Sequence, residues 1–454
     1  MPSLGLAYLS AFVKAHGHNA AIKDLSIELY NRVDSENRKF WDSSNGYQWY
    51  LTEAFYKMPF LNEKLFENFC DQILTSDAEI FGFSIQNTSA VFTLELIRRI
   101  KAKAPSRKII LGGPNCYNIS GDDSNFKLNY GLEQFSDIIV VGEGEQTLLE
   151  ILERLRAGEL LDDCKGIAIP RDEKWVFNGF RDLRLDLNEL SFPDFDAFNL
   201  NLYTAKNTLP LQTSRGCVMR CVFCTDTSFW RPYRFLDAGN AFQTILQMKK
   251  RYGIRVISIN DSLMNGNGQN LMDLCDLMIK NKMEIVWGGN CLVRKGLGKD
   301  FFKKIKNAGC RYVILGIESG SNKILKLMHK SFTIEDAREF IEACHHESIE
   351  VVANWIVGFP GETEEDFIAT ADFIRENRKF IKRNTFSMLT INQFSYLDQH
   401  RDEFGIVLDG PHLGLWYSND RQNTIELRSA RLKILEENEA EWHRDYSITR
   451  QTSV

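Results

Sequence analysis

Cys217, Cys221 and Cys224 stand in one short segment, Thr213-Ser-Arg-Gly-Cys-Val-Met-Arg-Cys-Val-Phe-Cys224. Thiolates crowded at this spacing select soft or borderline metals, zinc and iron–sulfur clusters among them. The number of ligands discriminates between these. A structural zinc site closes with four ligands, and no neighbouring cysteine or histidine supplies a fourth. A [4Fe–4S] cluster normally takes four cysteines, so three would leave one iron open to a small molecule. The remaining cysteines, Cys70, Cys116, Cys164, Cys275, Cys291, Cys310 and Cys344, are scattered singly and are expected to act as small core hydrophobes. Such usage implies a reducing compartment with no disulfide framework, and hence a cytoplasmic protein.

Other polar residues fall where strand-like runs end. Asp261, in Asn260-Asp-Ser262, could accept from an ammonium group or cap the following turn. Asn290 and Arg294 follow the next run, and a guanidinium pairs bidentately with a carboxylate. Glu318, in Gly316-Ile-Glu-Ser-Gly320, could accept from hydroxyls or an ammonium, or cap a helix. Asn354 lies on a run that ends in the tight turn Gly358-Phe-Pro-Gly-Glu-Thr363. Arg231 and Tyr233 follow the cysteine segment, with no spacing that decides their role. His345 and His346, on a helix, are expected at the surface. No nucleophile–base arrangement can be argued for, which suits chemistry carried by cofactors that the protein positions.

The elements that must position these residues alternate from Leu209 onward. Strands are expected at Leu209–Ser214, Ile254–Asn260, Glu284–Asn290, Arg311–Glu318, Val351–Phe359 and Thr385–Phe394. Helices are expected between them, at 238–252, 268–282, 299–308, 333–348 and 364–378. The alternation argues a parallel sheet with crossover helices. In complete barrels of this kind reactive groups cluster at the C-terminal strand ends, and the cysteine segment follows the first strand.

Residues 1–156 form a second α/β unit. Helix Leu4–His16 leads to strand Asn19–Leu25, and strand Glu79–Ser84 leads to helix 90–104. Strand Lys108–Leu111 ends in Gly112-Gly113-Pro114. Strand Asp137–Val141 ends in Gly142-Glu143-Gly144-Glu145, ahead of helix 146–156. Glycines at strand ends admit a ligand close to the backbone, where open α/β sheets bind theirs. Residues 30–76 interrupt this unit with Trp41, Tyr47, Trp49, Tyr50, Phe55 and Tyr56, which read as an inserted helical pair or a lid. Residues 157–207 read as a connecting segment with a turn at Ser191-Phe-Pro-Asp194, 208–395 as the barrel, and 396–454 as a C-terminal extension. Its end, 427–454, reads as a solvated helix and tail.

The totals agree with this division. A chain of 454 residues suits two or three domains. A hydrophobic fraction of 44% and a charged fraction of 26% are those of a globular protein. No apolar run reaches the roughly 18 residues of a membrane span, and no secretory leader pattern is present. A net charge of −6 without a basic block argues against a nucleic-acid partner, although a small basic site for tRNA stays open.

The cysteine segment resembles the radical S-adenosylmethionine (SAM) enzymes, whose signature is Cys-x3-Cys-x2-Cys with an aromatic residue, here Phe223, before the last cysteine. The resemblance implies a partial six-stranded β/α barrel and a [4Fe–4S] cluster on Cys217, Cys221 and Cys224. SAM would chelate the open iron and be cleaved reductively to methionine and a 5′-deoxyadenosyl radical. It further implies SAM-binding roles for Phe223 near the adenine, for Asp261, Asn290 and Arg294 near the methionine moiety, and for Glu318 and Asn354. An external electron donor such as a flavodoxin or ferredoxin is implied as partner.

The N-terminal unit resembles the doubly wound, flavodoxin-like cobalamin-binding domain upstream of many such barrels, through Pro2-Ser-Leu-Gly-Leu-Ala-Tyr-Leu9, Gly82-Phe-Ser-Ile-Gln86, Leu111-Gly-Gly-Pro114 and Val141-Gly-Glu-Gly-Glu-Gln-Thr147. Ser84, Gly112, Gly113, Gly142, Glu143 and Gly144 are then expected against cobalamin. The Asp-x-His-x-x-Gly motif that supplies a cobalt ligand elsewhere is absent. The domain's first strand is also missing, because the chain opens at the helix. Together these resemblances imply a cobalamin-dependent methyltransferase acting on carbon of a small-molecule or natural-product substrate. The alternatives are a radical cyclisation or rearrangement without methyl transfer, and a non-catalytic cobalamin or iron–sulfur sensor.

Overall fold

Alternating apolar runs and amphipathic helices give the C-terminal unit six parallel strands in the computed structural model, which describes residues 1–117, 119–120, 126–182, 186–230, 232–409 and 415–451. The strands are Thr208–Leu211, Val256–Ile259, Val286–Cys291, Cys310–Glu318, Glu350–Val357 and Ile381–Met388, and they lie side by side in chain order. Helices Ala238–Tyr252, Gly268–Lys280, Lys299–Asn307, Ile334–His346 and Glu364–Asn377 join them. Crossovers between sequential parallel neighbours are nearly always right-handed, which places these joining helices on one face of the sheet. Along the fifth strand Val351, Ala353, Trp355 and Val357 are buried, while Val352, Asn354 and Ile356 alternate with them and are half-buried.

Two expectations for this unit are corrected. The last strand is Ile381–Met388, not Thr385–Phe394. Leu389 and Ile391 leave the ladder for an apolar cluster with Val222, Phe359 and Trp416. The C-terminal helix Ile425–Gln451 is not a solvated appendage over its first turns, where Arg428, Arg431 and Leu435 are buried. The Arg428 guanidinium lies 4.0 Å from the Trp416 ring centroid. Arg431 pairs with Glu362 at 2.9 Å and Glu364 at 2.8 Å, and Asn384 donates to Glu439 through both its nitrogens.

Burial pushes the Glu362 carboxyl up from its ordinary 4.5 to about 7, against the pull of Arg431 and the Gly358 N–H. The folded chain then holds this proton more tightly than the unfolded one. The contribution, of the order of 3 kcal/mol, is complete below pH ~4.5 and lost as pH rises through about 7. Glu362→Gln should flatten that stretch of a urea-midpoint profile; an unchanged slope would assign it to other groups.

The N-terminal unit, Met1–Leu185 with Glu189–Lys206, is built on a second sheet. Parallel strands Ile80–Ser84, Lys108–Gly112 and Ile138–Val140 are continued by an antiparallel hairpin, Ile167–Arg171 and Lys174–Phe177. The expected connecting segment therefore extends this sheet. Its Asp172-Glu173 turn has φ of 46° and 64°, the positive pair that a two-residue hairpin requires. Further on, Asp194 accepts from Ser10 (2.7 Å) and Lys14 (2.6 Å), tying the same segment to the first helix.

No strand forms at Asn19–Leu25. Asp24 instead caps helix Leu25–Arg32 by accepting from the Ile27 N–H. The aromatic insertion is a packed helical element: Phe55 and Phe69 are fully buried, Trp41 and Trp49 meet edge to face at 4.9 Å, and Phe66 packs on Phe92 at 5.2 Å.

Candidate functional site

The cysteine loop leaves the first barrel strand through a short pairing of Ser214–Arg215 with Arg234–Phe235. Gly216, just before Cys217, has φ of 86°, and a Cβ there would collide with the Trp230 carbonyl. Only glycine lets the chain pass. Val222 anchors the middle of the loop: its side chain is fully buried, its N–H donates to the Met328 carbonyl (3.3 Å), and its carbonyl accepts from Leu397 (2.9 Å). Half-buried Cys217, Cys221 and Cys224 flank this anchor. Burial pushes all three thiols up, Cys224 to about 12, so each must shed a proton to ligate a metal. Among the described residues no three His, Cys, Asp or Glu side chains converge on a single ion.

Beside the loop lies a buried ion pair that includes a residue the sequence did not single out. Lys330 Nζ is 3.1 Å from Glu318 Oε1 and 3.0 Å from the Gly316 carbonyl, with both side chains about a tenth exposed. Burial alone would lower the Lys330 pKa, but Glu318 and the Cys221 thiolate raise it. Its ammonium also lies 5.4 Å from the centroid of the Phe223 ring. Glu318 closes the fourth strand at φ 73°, a conformation that costs a non-glycine residue of order 1–3 kcal/mol and that clusters at ligand sites. A register shift between Gly316 and Glu318 turns the carboxylate out of the ladder.

The remaining barrel candidates divide. Asp261 turns inward: its carboxylate, 1% exposed, accepts from Thr213 N (2.6 Å), Thr213 Oγ1 (2.5 Å) and Ser214 Oγ (2.8 Å). Asn290 donates to the Asp261 carbonyl at 2.9 Å and so braces the strand ends. Arg294 spends one nitrogen on the Gly266 carbonyl (2.8 Å), while its buried Nε has no partner among the described residues. Asn354 is half-buried, level with Gly316 and Thr385. Tyr233 receives the Asn267 N–H at 3.0 Å; Arg231 lies outside the described residues. His345 and His346 are exposed, and the seven scattered cysteines are buried and free.

In the N-terminal unit Ser84 and Gly112 end adjacent strands in register, and Ser84 is exposed. A Cβ on Gly112 would make only ordinary contact with Val140, whereas one on Gly113, at φ 100°, would strike the Ile85 backbone. Gly142, also at positive φ, faces open space. Gly144 has a packing reason, since a Cβ there would crowd Leu9, and Glu143 is buried beside it. Asn115 follows the Gly113 turn. Its Nδ2 donates to Asn87, but its buried Oδ1 has no partner among the described residues, an acceptor left for a ligand's N–H or O–H.

Residues 211–374 match the family model of the Radical SAM superfamily. The chain is 25% identical over 307 residues to an uncharacterised methyltransferase of Pyrococcus horikoshii, covering 66% of this chain and 64% of the relative. It is 26% identical over 266 residues to the anaerobic magnesium-protoporphyrin IX monomethyl ester cyclase of Cereibacter sphaeroides, covering 56% and 43%. The chain thus spans less than two thirds of the length of these relatives. Its fold is that of the radical SAM methyltransferase TsrM from Kitasatospora setae, solved with cobalamin and a [4Fe–4S] cluster. The TM-score is 0.65 at 16% identity, over 90% of this chain and 76% of that one. With the three-cysteine loop at the end of the first strand of a six-stranded parallel sheet, residues 211–374 carry a radical SAM domain.

Proposed function

We propose that this protein is a cobalamin-dependent radical SAM methyltransferase that cleaves SAM reductively and transfers a methyl group to carbon of a small-molecule or natural-product substrate. The observation that carries the reading is the meeting of three half-buried thiols with the Glu318–Lys330 pair at the C-terminal strand ends. Cys217, Cys221 and Cys224 would hold a [4Fe–4S] cluster by three corners. The methionine part of SAM is a zwitterion, and a carboxylate–ammonium pair 3.1 Å apart is its electrostatic complement. Lys330 would take the ligand carboxylate and Glu318 its ammonium or ribose hydroxyls, in a place already withdrawn from water. Arg294 Nε offers a further donor, and Phe223 a flat apolar face.

In the N-terminal unit Ser84, the Gly112–Gly113 turn and the open acceptor of Asn115 fit a corrinoid with carboxamide arms, with no protein histidine offered to cobalt. When bound, the cluster would supply the electron that cleaves SAM, and cobalamin would carry the methyl group. An external flavodoxin or ferredoxin would supply that electron. The chain's own part is to orient SAM and substrate, and much of the selectivity would be that orientation. The likeness to cyclases over about half the chain favours one second reading, a radical cyclisation without methyl transfer.

Anaerobic reconstitution with iron, sulfide and cobalamin, followed by metal analysis and SAM turnover under reductant, tests the proposal. Iron and cobalt together, with SAM consumed and methyl transferred, are expected. Iron with SAM cleavage but no cobalt would favour the cyclase reading, and a cluster that leaves SAM intact would favour a sensor.

A further inference from the structure

Both ends of the cysteine loop are held by two adjacent residues of a different strand end. Asp261 follows the second barrel strand, and its carboxylate receives Thr213 N, Thr213 Oγ1 and Ser214 Oγ, three to four residues before Cys217. Its neighbour Ser262 donates from Oγ to Asp226 Oδ2 at 2.6 Å, two residues after Cys224. Asn290 fixes the clasp from the third strand by donating to the Asp261 carbonyl. The loop between these ties is irregular, and Val222 grips the protein at its centre, with Phe223 packed beside it and Met219 Sδ accepting from Ser331 at 3.5 Å. A hydroxyl- or carboxylate-mediated tie holds it at each end.

We infer that Asp261 and Ser262 are positioning residues that set the spacing of the three thiols for the cluster. The inference rests on the cluster reading above, and neither residue touches the cluster or SAM in it. Groups that fix metal ligands from behind typically change metal affinity about ten- to a hundred-fold when removed. Ser262→Ala deletes one tie with little change of volume. Ser262→Thr keeps the hydroxyl. Asp261→Asn keeps the shape but turns a nitrogen toward donors.

The test compares the reconstituted protein with Ser262→Ala, Ser262→Thr and Asp261→Asn. It measures iron loss to a chelator, the SAM-induced change in the electron paramagnetic resonance of the reduced cluster, and hydrogen exchange of loop amides in the cluster-free chains. Ser262→Ala and Asp261→Asn should lose iron roughly tenfold faster or more, exchange faster over 213–226, and show a broadened signal. Ser262→Thr should match the parent. If Asp261→Asn does not fold, Ser262→Ala and its threonine rescue decide the question. Iron loss and loop exchange indistinguishable from the parent in Ser262→Ala would overturn the clasp. A parent chain that assembles no cluster would instead overturn the reading beneath it, while faster loop exchange in cluster-free Ser262→Ala would still support the clasp.

Discussion

Replacing Cys217, Cys221 and Cys224 together by alanine abolishes the brown chromophore of the reconstituted protein and all reductive cleavage of SAM. The effect is complete because no other thiols can substitute. The remaining seven are buried and scattered singly along the chain, with no second group of three close in sequence. Iron content, absorbance and deoxyadenosine formation measure the outcome. A redox-active [4Fe–4S] signal surviving in the triple variant would place the cluster elsewhere.

The Glu318–Lys330 pair gives the second large effect, and here stability and binding should separate. Lys330→Met leaves a buried carboxylate without its partner, which typically costs about 3–5 kcal/mol. Adding Glu318→Leu removes the stranded charge, and apolar replacement of a whole buried pair is often neutral, so the double variant should recover most of that loss. SAM affinity should not recover. Losing charge-assisted contacts of about 1.5–3 kcal/mol predicts binding roughly ten- to a hundred-fold weaker in both variants. Thermal unfolding and SAM titration on the same samples read the two effects. Normal SAM affinity in the double variant would reduce the pair to a device of the fold.

The barrel was legible because its helices carry their own boundary signals. Thr333 with Asp336 and Thr363 with Asp366 form capping boxes, and Asp237 and Asn267 cap the two preceding long helices. The cysteine loop was legible because its ligands are local in sequence. What was not legible depended on partners far away. Asp261 looked like a ligand group at a strand end, but its direction is set by Thr213, forty-eight residues earlier. Lys330 carries no motif and reaches Glu318 only because helix Asn322–Leu327 folds back. The 167–177 hairpin turns at Asp172-Glu173 without the asparagine or glycine that would have signalled it. No strand forms at Asn19–Leu25, where Asp24 caps the helix Leu25–Arg32 instead.

The central claim is that SAM binds the cluster through its methionine end at the one iron without a cysteine. Electron–nuclear double resonance on the reduced, reconstituted protein tests it directly, using SAM labelled with nitrogen-15 in the amino group and oxygen-17 in the carboxylate. The account predicts couplings from both labels to the cluster, lost in Lys330→Met and in the triple cysteine variant. A cluster signal that shows neither coupling and does not shift on adding saturating SAM would contradict it.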